Sequence, residues 1–98
     1  MIINKDESIN CLLKNINLKE HGWKVVDHWD GDQCAIGIAN TKKPRYLVYI
    51  STFGKDKGRY DYECETPTGS EPTEYITSEK GEDVNFDEIL IALQKHLK

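Results

Sequence analysis

The sequence predicts an α+β domain: an antiparallel sheet of four to five strands with an N-terminal and a C-terminal helix packed on one face. Three observations lead to this. Apolar residues recur at three- and four-residue spacing near both ends, at Ile9, Leu12, Leu13 and Ile16, and at Phe86, Ile89, Leu90, Leu93 and Leu97. Between these segments apolar residues alternate with polar ones at period two, the signature of half-buried strands. The strands are separated by short turns, which favours an antiparallel meander over parallel crossovers. The 98 residues fit one domain, 1–98.

The first helix is expected over Lys5 to Glu20, with Asp6 or Ser8 as its cap and Gly22 at the left-handed position that ends it. Cys11 and Leu18 fall on the opposite side of the wheel, so the helix either frays near Asn17 or covers a second, smaller contact. Trp23 to Trp29 alternates, with Trp23, Val25, Asp27 and Trp29 on one face. Asp30-Gly31 then suits a two-residue hairpin loop, because both positions accept positive φ. Gln33 to Ala39 alternates again through Cys34, Ile36 and Ile38.

Pro44 blocks continuation of that strand. Arg45 to Phe53 is apolar on both faces and reads as a central strand. After a Gly54–Gly58 turn, Arg59 to Glu65 sends Tyr60, Tyr62 and Cys64 one way and Asp61, Glu63 and Glu65 the other. Thr66 to Pro72 is a loop, Thr73 to Thr77 a short edge strand, and Ser78 to Val84 an acidic connector. Asn85 with Glu88 forms a capping box for the last helix, whose Lys95 and Lys98 complement the negative end of its dipole.

Cys11, Cys34 and Cys64 are odd in number and widely spaced, unlike the dense even sets of secreted disulfide domains; they read as reduced thiols in half-buried positions. No apolar signal-peptide core follows the charged N-terminus, and no run of 18 apolar residues exists, so a cytoplasmic protein is expected with no membrane partner. The net charge of −4 is unevenly placed. Residues 1–60 carry ten Lys/Arg against seven Asp/Glu, residues 61–98 three against ten. Between Asp61 and Glu88 the sole base is Lys80. Such a segment repels phosphate backbones, which excludes nucleic acid as a partner and favours basic proteins.

Catalytic and metal motifs are weak. Asp27, His28, Asp30 and Asp32 crowd six residues, with Cys34 beyond, but the twelfth position counted from Asp30 is Thr41 rather than the glutamate of a calcium loop. Paired Cys/His at zinc spacing is missing. Cys34 with His28 lacks the flanking signature of a nucleophile elbow. No cofactor or metal is therefore expected, and no enzymatic activity. Asp61, Glu63 and Glu65 stand about 7 Å apart on one strand face. Two carboxylates at such a separation serve glycosidases, but only with an apolar pocket that raises one pKa. The plainer reading is a solvated strand face balanced by cross-strand cations, and the alternative a docking surface for a basic protein.

The stretch Tyr46-Leu47-Val48-Tyr49-Ile50, followed by Gly58-Arg59-Tyr60-Asp61-Tyr62-Glu63-Cys64-Glu65, resembles small immunity proteins of bacterial polymorphic toxin systems, including contact-dependent growth inhibition. Those families share no binding motif, so the resemblance assigns no residue. It implies a cytoplasmic α+β domain that binds and neutralises a cognate toxin domain, often a basic nuclease, with carboxylates standing in for substrate phosphates. On this reading Asp61, Glu63, Glu65, Glu74, Glu79, Glu82 and Asp83 supply the acidic surface, and Tyr60 or Tyr75 an anchor. The alternatives are an acidic adaptor or dimerisation module without a toxin partner and, third, a small hydrolase.

Overall fold

Alternation of apolar side chains along four segments gives the central layer of the molecule. The computed structural model describes residues 4–27, 31–71 and 73–98. These form α1 (Glu7–Lys14), α2 (Leu18–His21), β1 (Trp23–Val26), β2 (Ala35–Asn40), β3 (Leu47–Ser51), β4 (Tyr60–Pro67), β5 (Tyr75–Val84) and α3 (Phe86–His96). The strands follow chain order β1-β2-β3-β4-β5 in one antiparallel sheet. The expected α+β architecture, with helices from both ends of the chain, is therefore present.

Register explains where the core lies. Val25 faces Ile38, Ile38 faces Val48, Val48 faces Cys64, and Ile36 faces Ile50, so the apolar positions of successive strands line one face. Against this face pack Ile9, Leu12 and Leu13 of α1 and Ile89 and Leu93 of α3, all at most 3% exposed. Each such side chain, fully buried, contributes about 1.5–3 kcal/mol relative to exposure.

Polar contacts fix the helix ends onto the sheet. Trp23 Nε1 donates to the Leu97 carbonyl at 3.1 Å, and Asn40 Nδ2 donates to the carbonyls of Leu97 at 3.1 Å and Lys98 at 2.9 Å. Carbonyls left over at the C-terminal end of α3 are thereby satisfied by β1 and β2. At the other end of α3, Asn85 and Glu88 form the expected capping box. The α1 start is held by a 2.6 Å hydroxyl pair between Ser8 and Thr52 and by the Asp6 amide on the Gln33 carbonyl at 2.8 Å. Lys5, its side chain only 2% exposed, pairs with Asp27 at 3.0 Å and donates to the Asp32 carbonyl at 2.6 Å.

The structure corrects several expectations. The first helix is not continuous: Asn15 closes α1, and Asn17 caps α2 by accepting from the Glu20 amide. Two asparagines offer the backbone local hydrogen bonds that compete with helix continuation. Gly22 does end the second piece at φ 74°. β1 stops at Val26 and β2 starts at Ala35; the expected Asp30-Gly31 loop falls partly outside the described residues. His28, Trp29 and Asp30 lie outside the described residues. Asp27 is instead ion-paired to Lys5, and Asp32 accepts the Cys34 amide at 2.9 Å. The central strand is trimmed to Leu47–Ser51, which leaves Phe53 75% exposed.

The largest correction is β5. The segment read as an acidic connector belongs to a ten-residue strand paired along β4. Its polarity follows from its place at the sheet edge, where most of its side chains are exposed. Two irregularities interrupt the ladder: Ser78 is an extra residue between Thr77, opposite Glu65, and Glu79, opposite Cys64. Glu82 and Asp83 are likewise both set against Asp61, with Asp83 at φ 53°. This second bulge puts an aspartate where glycine is favoured.

Gly81 sits opposite Tyr62. A methyl group there would run into the Tyr62 ring, whose Cζ lies 2.9 Å from the ideal Cβ position. Gly81→Ala is expected to destabilise the fold by about 1–3 kcal/mol through this overpacking, read as a lowered urea midpoint at unchanged m-value. Leu93→Ala, which empties the core between α3 and the sheet, should cost about 2–5 kcal/mol in the same assay.

Candidate protein-binding face

Alternation places one side of the sheet under the helices and sends the intervening residues to the other. There Ala35, Ala39, Leu47 and Ser51 are buried as well, while Lys24, Glu63, Thr77 and Lys80 are exposed. Lys24 and Val26 on β1, Leu47, Tyr49 and Ser51 on β3, and Asp61, Glu63 and Glu65 on β4 share this second face by register. Lys80 and Thr77 of β5 join it opposite Glu63 and Glu65. Here lies a shallow cleft of about 300 Å³, bordered by Tyr49, Ser51, Asp61, Glu63, Lys80 and Glu82. Three carboxylates thus border a cleft whose lining also includes Tyr49, Tyr62 and Lys80.

The carboxylates differ in their commitments. Asp61 is bound locally: its Oδ1 lies 3.2 Å from Lys55 Nζ and accepts the Asp83 amide at 2.8 Å. That amide bond and the Arg59 guanidinium, which reaches Asp83 Oδ1 at 3.2 Å and also donates to the Asp83 carbonyl, hold the bulge in place. Glu63 and Glu82 are exposed at the cleft. Glu65 is half-buried, and its backbone carbonyl meets His96 Nε2 at 2.8 Å. His96 is thereby drawn to β4 as well as placed at the end of α3.

Other members of the expected acidic set lie elsewhere. Glu79, opposite buried Cys64, belongs to the helix-bearing side. There it accepts from Lys95 Nζ at 3.1 Å and from the Tyr62 hydroxyl at 3.3 Å. The Lys95 hydrogen bond holds the Glu79 carboxyl below its ordinary value; burial opposes it, and the Lys95 charge and the Tyr62 hydroxyl add smaller lowering effects. Glu74 lies in the β4–β5 loop, its Oε1 accepting the Glu71 amide at 3.0 Å. The nine residues expected at a binding surface therefore do not form one continuous patch. Asp61, Glu63, Glu65 and Glu82 share the second face, Asp83 shapes the bulge, Glu79 faces α3 and Glu74 braces a loop.

The two tyrosines expected as anchors also part. Tyr60 is 7% exposed and packs in the core, where burial pushes its phenol pKa up. Tyr75 is 48% exposed at the start of β5. Residues not singled out from the sequence prove central: Tyr49, Ser51 and Lys80 border the cleft, and Arg45 clamps the β4–β5 loop through the carbonyls of Gly69, Glu71 and Glu74. The alternation of Leu47, Tyr49 and Ser51 against Val48 and Ile50 carries the signal for Tyr49. The reach of Arg45 across 24 to 29 residues has no sequence signal.

The thiols take three different positions. Cys11 is exposed, Cys34 half-buried and Cys64 buried, and all are free. Burial, then the nearby Glu79 charge, pushes the Cys64 thiol up to about 11, so it stays protonated and inert at neutral pH. Among the described residues, His, Cys, Asp and Glu form no group arranged to hold a metal ion. None of the described helices is long and apolar enough to cross a membrane.

Two measurements check this geometry. A thiol reagent at pH 8 should label Cys11 rapidly in the native protein, whereas Cys64 should react only after unfolding. Protection of Cys11 or fast labelling of Cys64 would contradict the burial pattern. Because Glu79 is depressed in the folded state, its contribution is present above its unfolded value and fades as pH falls through the folded one. Its pair with Lys95 is substantially exposed, with side-chain exposures of 40% and 69%, so solvent screening limits the effect to below about 1 kcal/mol. Glu79→Gln should accordingly lower stability slightly at pH 7 and converge with the parent at acid pH in urea titrations.

In comparisons with known proteins, no family model, no curated protein and no solved structure gives a significant match to the chain. The functional reading therefore rests on the geometry of the second face and on the sequence resemblance.

Proposed function

We propose that this chain is an immunity protein that binds and neutralises a cognate toxin domain, a basic nuclease in particular, through the second face of its sheet. The observation that carries this reading is the cleft where Asp61, Glu63 and Glu82 stand around Tyr49, on the side of the sheet opposite the helices. Carboxylates held on strands meet Lys and Arg of a nuclease as its substrate phosphates would. The charges accelerate encounter, and Tyr49 supplies the apolar contact that slows release. α1 and α3 serve the core on the other side, so the partner contacts a face whose backbone is already held by the sheet ladder.

In this reading the protein carries out no reaction of its own and acts in the cytoplasm of the cell that makes the toxin. The cleft is open and shallow, and Asp61 is already ion-paired, which suits a docking surface better than a carboxylic acid with a raised pKa. Function as an adaptor without a toxin is the competing reading, and the same experiment separates the two.

Glu63→Lys combined with Glu82→Lys should leave stability within about 0.5 kcal/mol, as both side chains are exposed. It should lower the association rate with a basic nuclease toxin domain encoded beside the chain about ten-fold or more at low salt, the difference narrowing as salt is raised. Failure of the parent protein to bind or inhibit that domain would exclude the immunity reading. Binding that is indifferent to both salt and the double substitution would exclude the second face.

A further inference from the structure

We infer that Phe53 is a second anchor of the proposed interface, seated on binding in an apolar pocket of the partner protein. The inference rests on the reading that the second face binds a toxin domain, and adds the shape that domain must offer at one end of the face.

Phe53 is the most exposed of the large apolar side chains described, at 75%. A singly exposed apolar residue is ordinary on a protein surface. Two further observations set this one apart, its rigid support and its position.

The support is a four-residue turn. The Thr52 carbonyl accepts the Lys55 amide at 3.1 Å, and Gly54 takes the left-handed conformation, φ 69°, that glycine supplies at the third position of such turns. Thr52 is itself pinned: its amide donates to the Cys34 carbonyl at 2.8 Å, and its hydroxyl pairs with Ser8. The ring therefore projects from backbone fixed against both α1 and the residue before β2. Seating it on a partner costs the freedom of two side-chain torsions and little else.

The position is beside the cleft, which Ser51 and Asp61 line. The Phe53 amide donates to Ser51 Oγ at 3.2 Å, and Lys55 of the same turn pairs with Asp61 at 3.2 Å. Phe53 itself borders a separate shallow hollow of about 550 Å³ with Gly31, Asp32, Gln33 and Cys34. The ring thus stands out beside two depressions rather than lining an enclosed pocket.

That shape selects the occupant. Small molecules bind in concave sites that bury most of their surface, and an outstanding ring offers none. A second copy of the chain is poorly matched as well. Its cleft is ringed by Asp61, Glu63, Lys80 and Glu82, and its hollow has no apolar side chain besides Phe53 and Cys34. A pocket of aliphatic or aromatic side chains on the toxin domain fits the ring, with Lys or Arg beside it to meet exposed Glu63 and Glu82. The anchor then slows release while the charges of the face speed encounter.

The test separates these two contributions kinetically. Phe53→Ala should keep the urea midpoint of the parent and raise the rate of dissociation from the co-encoded toxin domain about 30-fold. Its association rate should stay within about two-fold of the parent at low and high salt, because no charge changes. Phe53→Leu, which keeps an apolar side chain, should recover most of the loss. A benzophenone side chain placed at position 53 should crosslink to the toxin domain on illumination.

Dissociation unchanged by Phe53→Ala, or no crosslink from a complex that forms, would overturn the inference and leave the second-face reading standing. So would a dimer of the chain alone that Phe53→Ala abolishes. Absence of binding by the parent protein would overturn both readings together.

Discussion

The constraint on which this structure depends is the placement of all its helices on one side of a single antiparallel sheet. Strand alternation fixes which side chains lie under the helices, and the same alternation delivers every intervening residue to the other side. Val25, Ile38, Val48 and Cys64 run in register across four strands beneath α1 and α3. Their neighbours in sequence, Lys24, Gly37 or Ala39, Tyr49 and Glu63, necessarily form the second face. Shifting any of these strands by one residue would exchange the two sets, so the packing of the core and the chemistry of the exposed side are one decision.

The polar contacts work around that layer rather than within it. Trp23 and Asn40 capture the end of α3, Ser8 and Thr52 join α1 to the end of β3, and buried Lys5 ties the N-terminal residues to the β1–β2 connection. Each contact spans a long sequence separation and satisfies groups that the sheet ladder or helix cannot. Arg45 does the same for the β4–β5 loop, using one guanidinium for three backbone carbonyls. Bonds to a charged donor are stronger than neutral ones, so a single side chain can order a polar loop that lacks an apolar core.

How these contacts bear on function is clearest at β5. An edge strand with acids, a lysine and a glycine has low intrinsic strand preference. It forms because Tyr62 covers Gly81 and because Asp61 and Arg59 hold the bulge at Asp83. Those same contacts aim Glu82 at the cleft beside Tyr49 and keep Asp83 away from it. The charge of the segment is thus sorted by backbone geometry, and its net value says little about where a partner would meet it.

Much of this architecture was legible in the residues. The 3-4 spacing of Ile89 and Leu93 with the Asn85–Glu88 box marks α3, and Tyr60, Tyr62 and Cys64 against Asp61, Glu63 and Glu65 marks both faces of β4. These signals are local, because helix and strand periods are written in consecutive side chains. What sequence by itself could not decide is the helix break at Asn15–Asn17, the extent of β5 and the division of the acids among a face, a bulge, a loop and a helix contact. The break turns on a local competition for backbone hydrogen bonds. The extent of β5 and the division of the acids depend on partners distant in the chain: β4 for β5, Lys95 for Glu79, Asp83 for Asp61. Local periodicity determined which side chains of the helices and of β4 lie in the core. Only the tertiary structure decided which of the remaining charges are already answered and which stand open to another protein, since that depends on pairings that no short window of sequence contains.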